Sequence, residues 1–175
     1  IYIVRHGLTP WNHLHKAQGS ADIPLAQEGI DLAKRTGEAL MDVDFDICFT
    51  SPLTRAKQTA ALVLGGRQIP TIEDKRIQEI NFGELEGHIM RKGSSVESDC
   101  PEFDLFFKDP LKFPRPENGE NIQDVLERTR DFWIEKTTDP SLADKTVLVS
   151  SHGCAVRALL QNLYQDPRHF WHGCV

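Results

Sequence analysis

The chain predicts an α/β fold, a three-layer α/β/α sandwich on a mostly parallel central sheet. Three observations carry this. Ile1-Tyr2-Ile3-Val4 and Val147-Leu148-Val149-Ser150-Ser151 are short, uninterrupted apolar runs rich in β-branched residues. Such runs read as strands buried on both faces. Segments with helical spacing alternate with them, which implies parallel strands with helices covering both faces. At 175 residues, a single domain with a real core is expected.

In order, residues 1–5 form a strand and 6–26 an irregular loop with room for one helical turn. Residues 27–41 read as a helix and 46–50 as the second strand. A helix over 53–64 starts after Ser51-Pro52 and is stopped by Gly65-Gly66. A short strand follows near 69–73. Residues 78–118 are a lid-like insertion rich in Gly, Pro, Phe and acids, with short helices expected at 85–92 and 102–108. Residues 119–138 are the clearest helix. There Ile122, Val125, Leu126, Thr129 and Trp133 form one apolar stripe. Strand 146–151 and helix 154–164 complete the alternation. The apolar ending Phe170-Trp171-His172-Gly173-Cys174-Val175, like the opening on Ile1 rather than Met, leads us to expect further chain, and further sheet at the C-terminal side.

Composition narrows the function. Hydrophobic residues make up 39% and charged residues 26%, ordinary for a globular protein. The net charge of −6 argues against nucleic acid or an anionic membrane as partner. No apolar run approaches the ~18 residues of a membrane span. Cys48, Cys100, Cys154 and Cys174 are widely spaced, with no CxxC pair. That pattern favours reduced thiols and a cytoplasmic setting. A monomer or homodimer is expected.

The chemistry gathers at strand ends. His6 follows the first strand and His152 the last. Ligands of open α/β sheets bind beyond the carboxyl ends of the strands. Arg5 is a permanent cation with a planar donor fork suited to phosphate. Imidazole is a competent nucleophile toward phosphorus. Arg55 falls in the first turn of a helix, where N–H groups already favour an anion. His152-Gly153 precedes another helix, and a protonated imidazole there can bind a phosphoryl oxygen. Glu79 can serve as general acid, with Glu84 and Glu86 as competitors that spacing does not separate. There is no P-loop. A cysteine phosphatase needs five residues between Cys and Arg, and Cys48 and Arg55 have six between them. Asp42, Asp44 and Asp46 read as a solvated turn. His13-x-His15 and His169-x-x-His172 read as surface histidines, and Cys154 as a packing residue.

Together these residues resemble the histidine phosphatase superfamily, the phosphoglycerate mutase-like proteins, over nearly the whole chain. Arg5-His6-Gly7-Leu8-Thr9 with Asn12 is similar to the signature that carries the phosphorylated His. Gln18-Gly19, Asp22, Pro24-Leu25 and Gly29 resemble the segment after it. Ser51 to Ala56 with Gln58-Thr59-Ala60 resembles the second phosphate-binding element. Glu79 to Gly87 resembles the acid/base segment, and Ser151-His152-Gly153 the last catalytic element. The resemblance implies a phosphoglycerate mutase-like fold and the following roles. His6 is the nucleophile. Arg5, Asn12, Arg55, His152 and Gly153 hold the phosphoryl group. Glu79 is proton donor and then base, and no metal is needed. Gln18, Gly19 and Arg91 are weaker substrate-binding candidates.

Within the family, the phosphatase branch is the closer match. The mutases carry a Tyr-Gly-x-Leu-Gln-Gly run, then a Lys and an Arg-Arg pair for the glycerate carboxylate. Here Phe82-Gly83-Glu84-Leu85-Glu86-Gly87 departs from that run, and residues 88–118 hold no Arg-Arg pair. Pro116-Glu117-Asn118-Gly119-Glu120-Asn121 resembles a phosphatase segment. Glu97, Asp99, Glu102 and Asp104 are expected to line or flank the pocket. Phe103, Phe106, Phe107 and Phe113 form either an apolar lid or ordinary core. The resulting expectation is a phosphomonoesterase on a small phosphate ester, without cofactor. A 2,3-bisphosphoglycerate-dependent mutase, with Arg91 and Lys92 supplying charge, is the first alternative. A non-catalytic phosphate-binding module is the second.

Overall fold

The computed structural model of the chain describes residues 1–90, 100–164 and 170–171. The elements are β1 (Tyr2–Arg5), α1 (Pro10–His13), α2 (Gln27–Ala39), β2 (Ile47–Thr50), α3 (Thr54–Leu64) and β3 (Thr71–Glu73). After them come α4 (Glu102–Lys108), α5 (Ile122–Thr138), β4 (Val147–Ser151) and α6 (Gly153–Tyr164). The sheet order is β1-β4-β2-β3, and each of its pairings is parallel.

Side chains alternate across this sheet, as the pleat requires. Cys48 and Leu148 point to one face, where Phe45, Ala60, Val63 and Leu64 cover them. Phe49, Val147 and Val149 point to the other, against Phe132 and Leu159. Helix α3 thus covers one face, and α5 with α6 the other. The expected three-layer sandwich is present. A third cluster, outside the sheet, joins Ile80, Phe82, Phe103, Phe106 and Phe113 to α5 and α6.

Several boundaries differ from expectation, each for a local reason. Helix α5 begins at Ile122 rather than 119, because Asn121 and Asp124 form a reciprocal capping box. Its buried line is Ile122, Val125, Thr129 and Phe132; Leu126 and Trp133 are only half-buried. Phe132 lies closer to the centre of the stripe and meets Phe49 edge-on, ring centres 5.7 Å apart. Of the expected helix 85–92, only a 3-10 turn over Gly83–Leu85 appears before it. Gly87 adopts φ +80°, a left-handed conformation that ends any helix. Residues 91 and 92 lie outside the described residues. Helix α4 matches the expected 102–108. Among the described residues, no helix is long and apolar enough to cross a membrane.

Candidate active site

The parallel register pairs Arg5 with Ser151, so the two strands that carry histidines end side by side. The backbone N–H of His6 donates to Ser151 O at 2.9 Å. The His6 and His152 rings consequently lie 5.1 Å apart, centre to centre. His6 is buried, with Nδ1 2.7 Å from Gly7 O. A carbonyl only accepts, so Nδ1 carries the proton and Nε2 keeps its lone pair. Burial, then the Arg55 charge, pushes the His6 pKa down to about 3. The imidazole is therefore neutral at physiological pH, the state a nucleophile needs.

That shift has a consequence for stability. The unfolded chain takes the His6 proton near pH 6.5, the folded one near pH 3. Between those values the unfolded state binds more protons, so stability falls as pH drops from about 6.5 toward 3. Fully developed, the term is on the order of 5 kcal/mol. Urea midpoints at about pH 7 and pH 4.5 check this. The wild type is expected to lose more stability than His6→Gln, and equal losses sink the assignment.

His152 is fully buried. Its Nδ1 accepts from Arg55 Nε at 3.2 Å, and its Nε2 lies 2.8 Å from Ser51 Oγ. A guanidinium only donates, so Nε2 carries the proton and points it at Ser51. Burial, and next the Arg55 charge, drives its pKa well below the usual histidine value. This corrects the expectation of a protonated His152: the imidazole is neutral, because it is dry and beside a cation.

Arg55 reaches back from the first turn of α3, as expected, but it too is completely buried. Its Nη1 donates to Ala21 O and its Nη2 to Gly19 O, both at 2.7 Å. Asp22 accepts from the Thr54 N–H and hydroxyl at the start of the same helix. The loop before α2 is thereby clasped to α3. Arg55→Met leaves two acceptors unpaired, Gly19 O and His152 Nδ1, and takes from Ala21 O one of its two donors, the other being Ile23 N–H. We expect a loss of about 3 kcal/mol or more in urea unfolding. A cost below about 1 kcal/mol contradicts the clasp.

Glu79 separates from its competitors by position. Its Oε2 accepts from Cys154 N, and its Oε1 from Ala155 N and Ile80 N, each at 3.1 Å. The carboxylate thus sits on the first turn of α6 and borders the cavity that His6 borders. Glu86 is spent on structure. It accepts from the N–H groups of Gly19, Ser20 and Phe82. Glu84 is exposed.

The cavity has a volume of about 750 Å³. Arg5, His6, Asn12, Gln18, Glu79 and Gly153 form its inner wall. Asn12 accepts from the Thr9 N–H through Oδ1, which leaves its amide hydrogens as the donors available. Gln18 accepts from the Thr9 hydroxyl, while its Nε2 is buried without a hydrogen bond among the described residues. Gly19 does not border the cavity. Its N–H and carbonyl are taken by Glu86 and Arg55. A Cβ there would fall 2.0 Å from Ile80 O, so only glycine lets the two loops meet. Arg55 and His152 do not border it either; both are fully buried, the His152 ring 5.1 Å from that of His6. Arg91 lies outside the described residues.

The outer wall includes Met90, Phe106, Phe107 and Trp171, with Lys16 and Arg157 also at the cavity. Asp104 and Lys108 border it and pair with each other at 2.9 Å. Glu102 accepts instead from the Cys100 thiol at 2.8 Å, and Glu97 and Asp99 are outside the described residues. The phenylalanine question resolves both ways. Phe103 and Phe113 are core; Phe106 is buried yet touches the cavity; Phe107 is partly exposed at its rim. Cys154 is buried, and burial, then Glu79, raises its pKa well above the usual thiol value. Packing is its role. His13 is exposed and 3.8 Å from Glu28, and His15 borders the cavity. His169 and His172 are outside the described residues. Among the described residues, no group of His, Cys, Asp and Glu is arranged to hold a metal ion.

Two supports enter the sequence reading only as members of the second motif, without a role. Gly7 N donates to Thr59 Oγ1 at 3.1 Å, and Ser51 Oγ takes the proton of His152 Nε2.

The histidine phosphatase superfamily, branch 1, matches residues 1–174. A 2,3-bisphosphoglycerate-dependent phosphoglycerate mutase of Gloeobacter violaceus is 35% identical, over 93% of this chain and 74% of its own. Among solved structures, Bacillus stearothermophilus YhfR superposes with TM-score 0.86 at 32% identity. That match covers 99% of this chain and 84% of the other. The α-ribazole phosphatase of Shigella flexneri gives TM-score 0.80 at 30% identity, covering 97% and 82%.

Proposed function

The chain belongs to the histidine phosphatase superfamily, branch 1, and we propose that it is a phosphomonoesterase working through a phosphohistidine at His6. One observation carries this reading. His6 is a neutral imidazole whose Nε2 lone pair is free, in a cavity that also holds Arg5, Asn12 and Glu79. A phosphate ester bound there meets the Arg5 guanidinium and the Asn12 amide. His6 Nε2 attacks phosphorus, the ester P–O bond breaks, and Glu79 gives its proton to the departing alkoxide. In the second step Glu79 takes a proton from water. That water attacks phosphohistidine, and the P–N bond breaks to release phosphate and free His6. Arg55 supports both steps as a buried cation oriented before the substrate arrives. The scheme calls on no metal ion.

A second reading is a phosphoglycerate mutase primed by 2,3-bisphosphoglycerate. It is favoured by the name of the Gloeobacter relative and by Lys16 and Arg157 at the cavity, which suit a carboxylate. Against it, Met90, Phe106, Phe107 and Trp171 give the cavity an apolar stretch, and the further cation there, Lys108, is paired with Asp104.

Phosphorus NMR with 3-phosphoglycerate, with and without trace 2,3-bisphosphoglycerate, and with other monoesters, separates the readings. The expected result is inorganic phosphate from wild type and none from His6→Ala. A 2-phosphoglycerate signal without matching free phosphate moves the assignment to the mutase. Silence from the wild type leaves a phosphate-binding module.

A further inference from the structure

We propose that Arg128, locked by Glu120, is a positioning residue that sets where Glu79 stands. The inference rests on the proton-transfer role given to Glu79 above. Glu79 lies in irregular backbone between the 3-10 turn Lys75–Ile77 and the turn at Gly83. Backbone of that kind has no ladder to hold it, so its polar groups need partners from elsewhere. Arg128, on α5, supplies them. Its Nη1 donates to Arg76 O and Gln78 O, both at 2.8 Å, and its Nη2 to Glu79 O at 3.0 Å.

The guanidinium is itself fixed. Nε and Nη2 donate to the two carboxylate oxygens of Glu120 at 2.8 and 3.0 Å, a bidentate pair. Glu120 holds the far side of the same segment. Its Oε2 accepts from Asn81 N at 2.9 Å, and its own N–H donates to Asn81 O at 2.8 Å. Ser151, beside the histidines, donates its hydroxyl to Ile77 O at 2.8 Å. Residues 76–81 are thus gripped along their length by one ion pair and one strand end.

This arrangement divides the work on Glu79 between two helices. Helix α6 takes the carboxylate, through Cys154 N and Ala155 N. Helix α5 takes the main chain, through Arg128. A carboxylate reaching a leaving oxygen from an irregular loop depends on both. A displacement of about 1 Å at such a group can cost on the order of 100-fold in rate. Lysine cannot replace the arginine, because an ammonium is a point donor and lacks the planar fork that reaches three carbonyls and a carboxylate together.

The test compares Arg128→Lys, Arg128→Met and Glu120→Gln with wild type on two esters. Glycerol phosphate has a poor leaving group that needs a proton; p-nitrophenyl phosphate has a good one that does not. Melting temperature checks the fold, and Glu120→Gln, which keeps the shape, carries the test if Arg128→Met fails to fold. The expected result is a fall of about 10- to 100-fold in kcat for glycerol phosphate. KM should change little, and for p-nitrophenyl phosphate the rate compared is first-turnover release of p-nitrophenol, which precedes the shared hydrolysis of phosphohistidine and should fall at least severalfold less. Equal losses on both esters, or no loss, in folded variants overturn the positioning role and leave the enzyme reading intact. Loss of fold in all three variants overturns it too, reducing the cluster to a structural brace. Wild type that hydrolyses neither ester removes the enzyme reading, and the role of Arg128 with it.

Discussion

His6→Ala is expected to lower phosphate release by at least about 10⁴-fold, because it removes the atom that accepts the phosphoryl group. The fold should survive, since among the described residues the ring makes a single side-chain hydrogen bond, to its neighbour Gly7. Retained substrate affinity alongside lost turnover is the informative combination. Arg5, Asn12 and Gln18 border the cavity independently of the ring. In the wild type, acid-labile and base-stable phosphate should be recoverable from the protein after quenching during turnover, and it should be missing from the variant. Turnover within 10-fold of wild type in His6→Ala refutes the covalent scheme.

The companion effect is at Glu79. Glu79→Gln keeps the length and shape of the side chain but cannot give or take the proton. General acid–base groups contribute typically ~10²–10⁴-fold, and we expect a kcat loss in that range for an alkyl phosphate. For an aryl phosphate the first step needs no proton, so phosphohistidine should form quickly. Its hydrolysis then lacks a base, and phosphoenzyme should accumulate. The variant also places an amide NH₂ toward N–H groups that a carboxylate now accepts from. A stability cost of about 1 kcal/mol is expected from that mismatch, small beside the rate effect. A loss confined to KM contradicts the acid/base assignment. The neutral His6 bears on the pH profile as well. With its pKa near 3, the nucleophile is not lost between pH 6 and 4. An acid limb in that range therefore belongs to another group or to the substrate.

Much of this architecture was legible along the chain, for identifiable reasons. Strand β4 carries a continuous apolar run because helices cover both faces of the sheet around it, and that pattern is local; β1 carries a similar run but lies at the sheet edge, only half-buried at Ile3 and Val4. Asn121 and Gly65 mark helix ends because capping is decided within a few residues. His6, Arg5, Arg55 and His152 stood out because strand ends and helix starts are where ligands of such sheets bind, while Asn12, and Glu79 over its competitors, came from the family resemblance alone.

Other features were beyond any reading of the chain alone. Glu79, Glu84 and Glu86 are alike in composition and spacing. Only the fold sends the first to the start of α6, turns the second outward and ties the third to Gly19 and Ser20. Likewise Phe103 and Phe107 sit four apart on one short helix, yet one is core and the other rims the cavity. The charge of His152 was misjudged because its pKa depends on Arg55, which is 97 positions away in sequence and in contact through space. Arg128 gave no signal, since an arginine off the apolar stripe of a helix reads as solvated. The sequence by itself determined the α/β sandwich and the set of groups that meet at its strand ends, because periodicity and capping are short-range. Only the tertiary structure decided which groups are dry, which proton each imidazole carries and which carboxylate faces the cavity. Desolvation and hydrogen-bond geometry arise from residues far apart in the chain, and both exist only once they have come together.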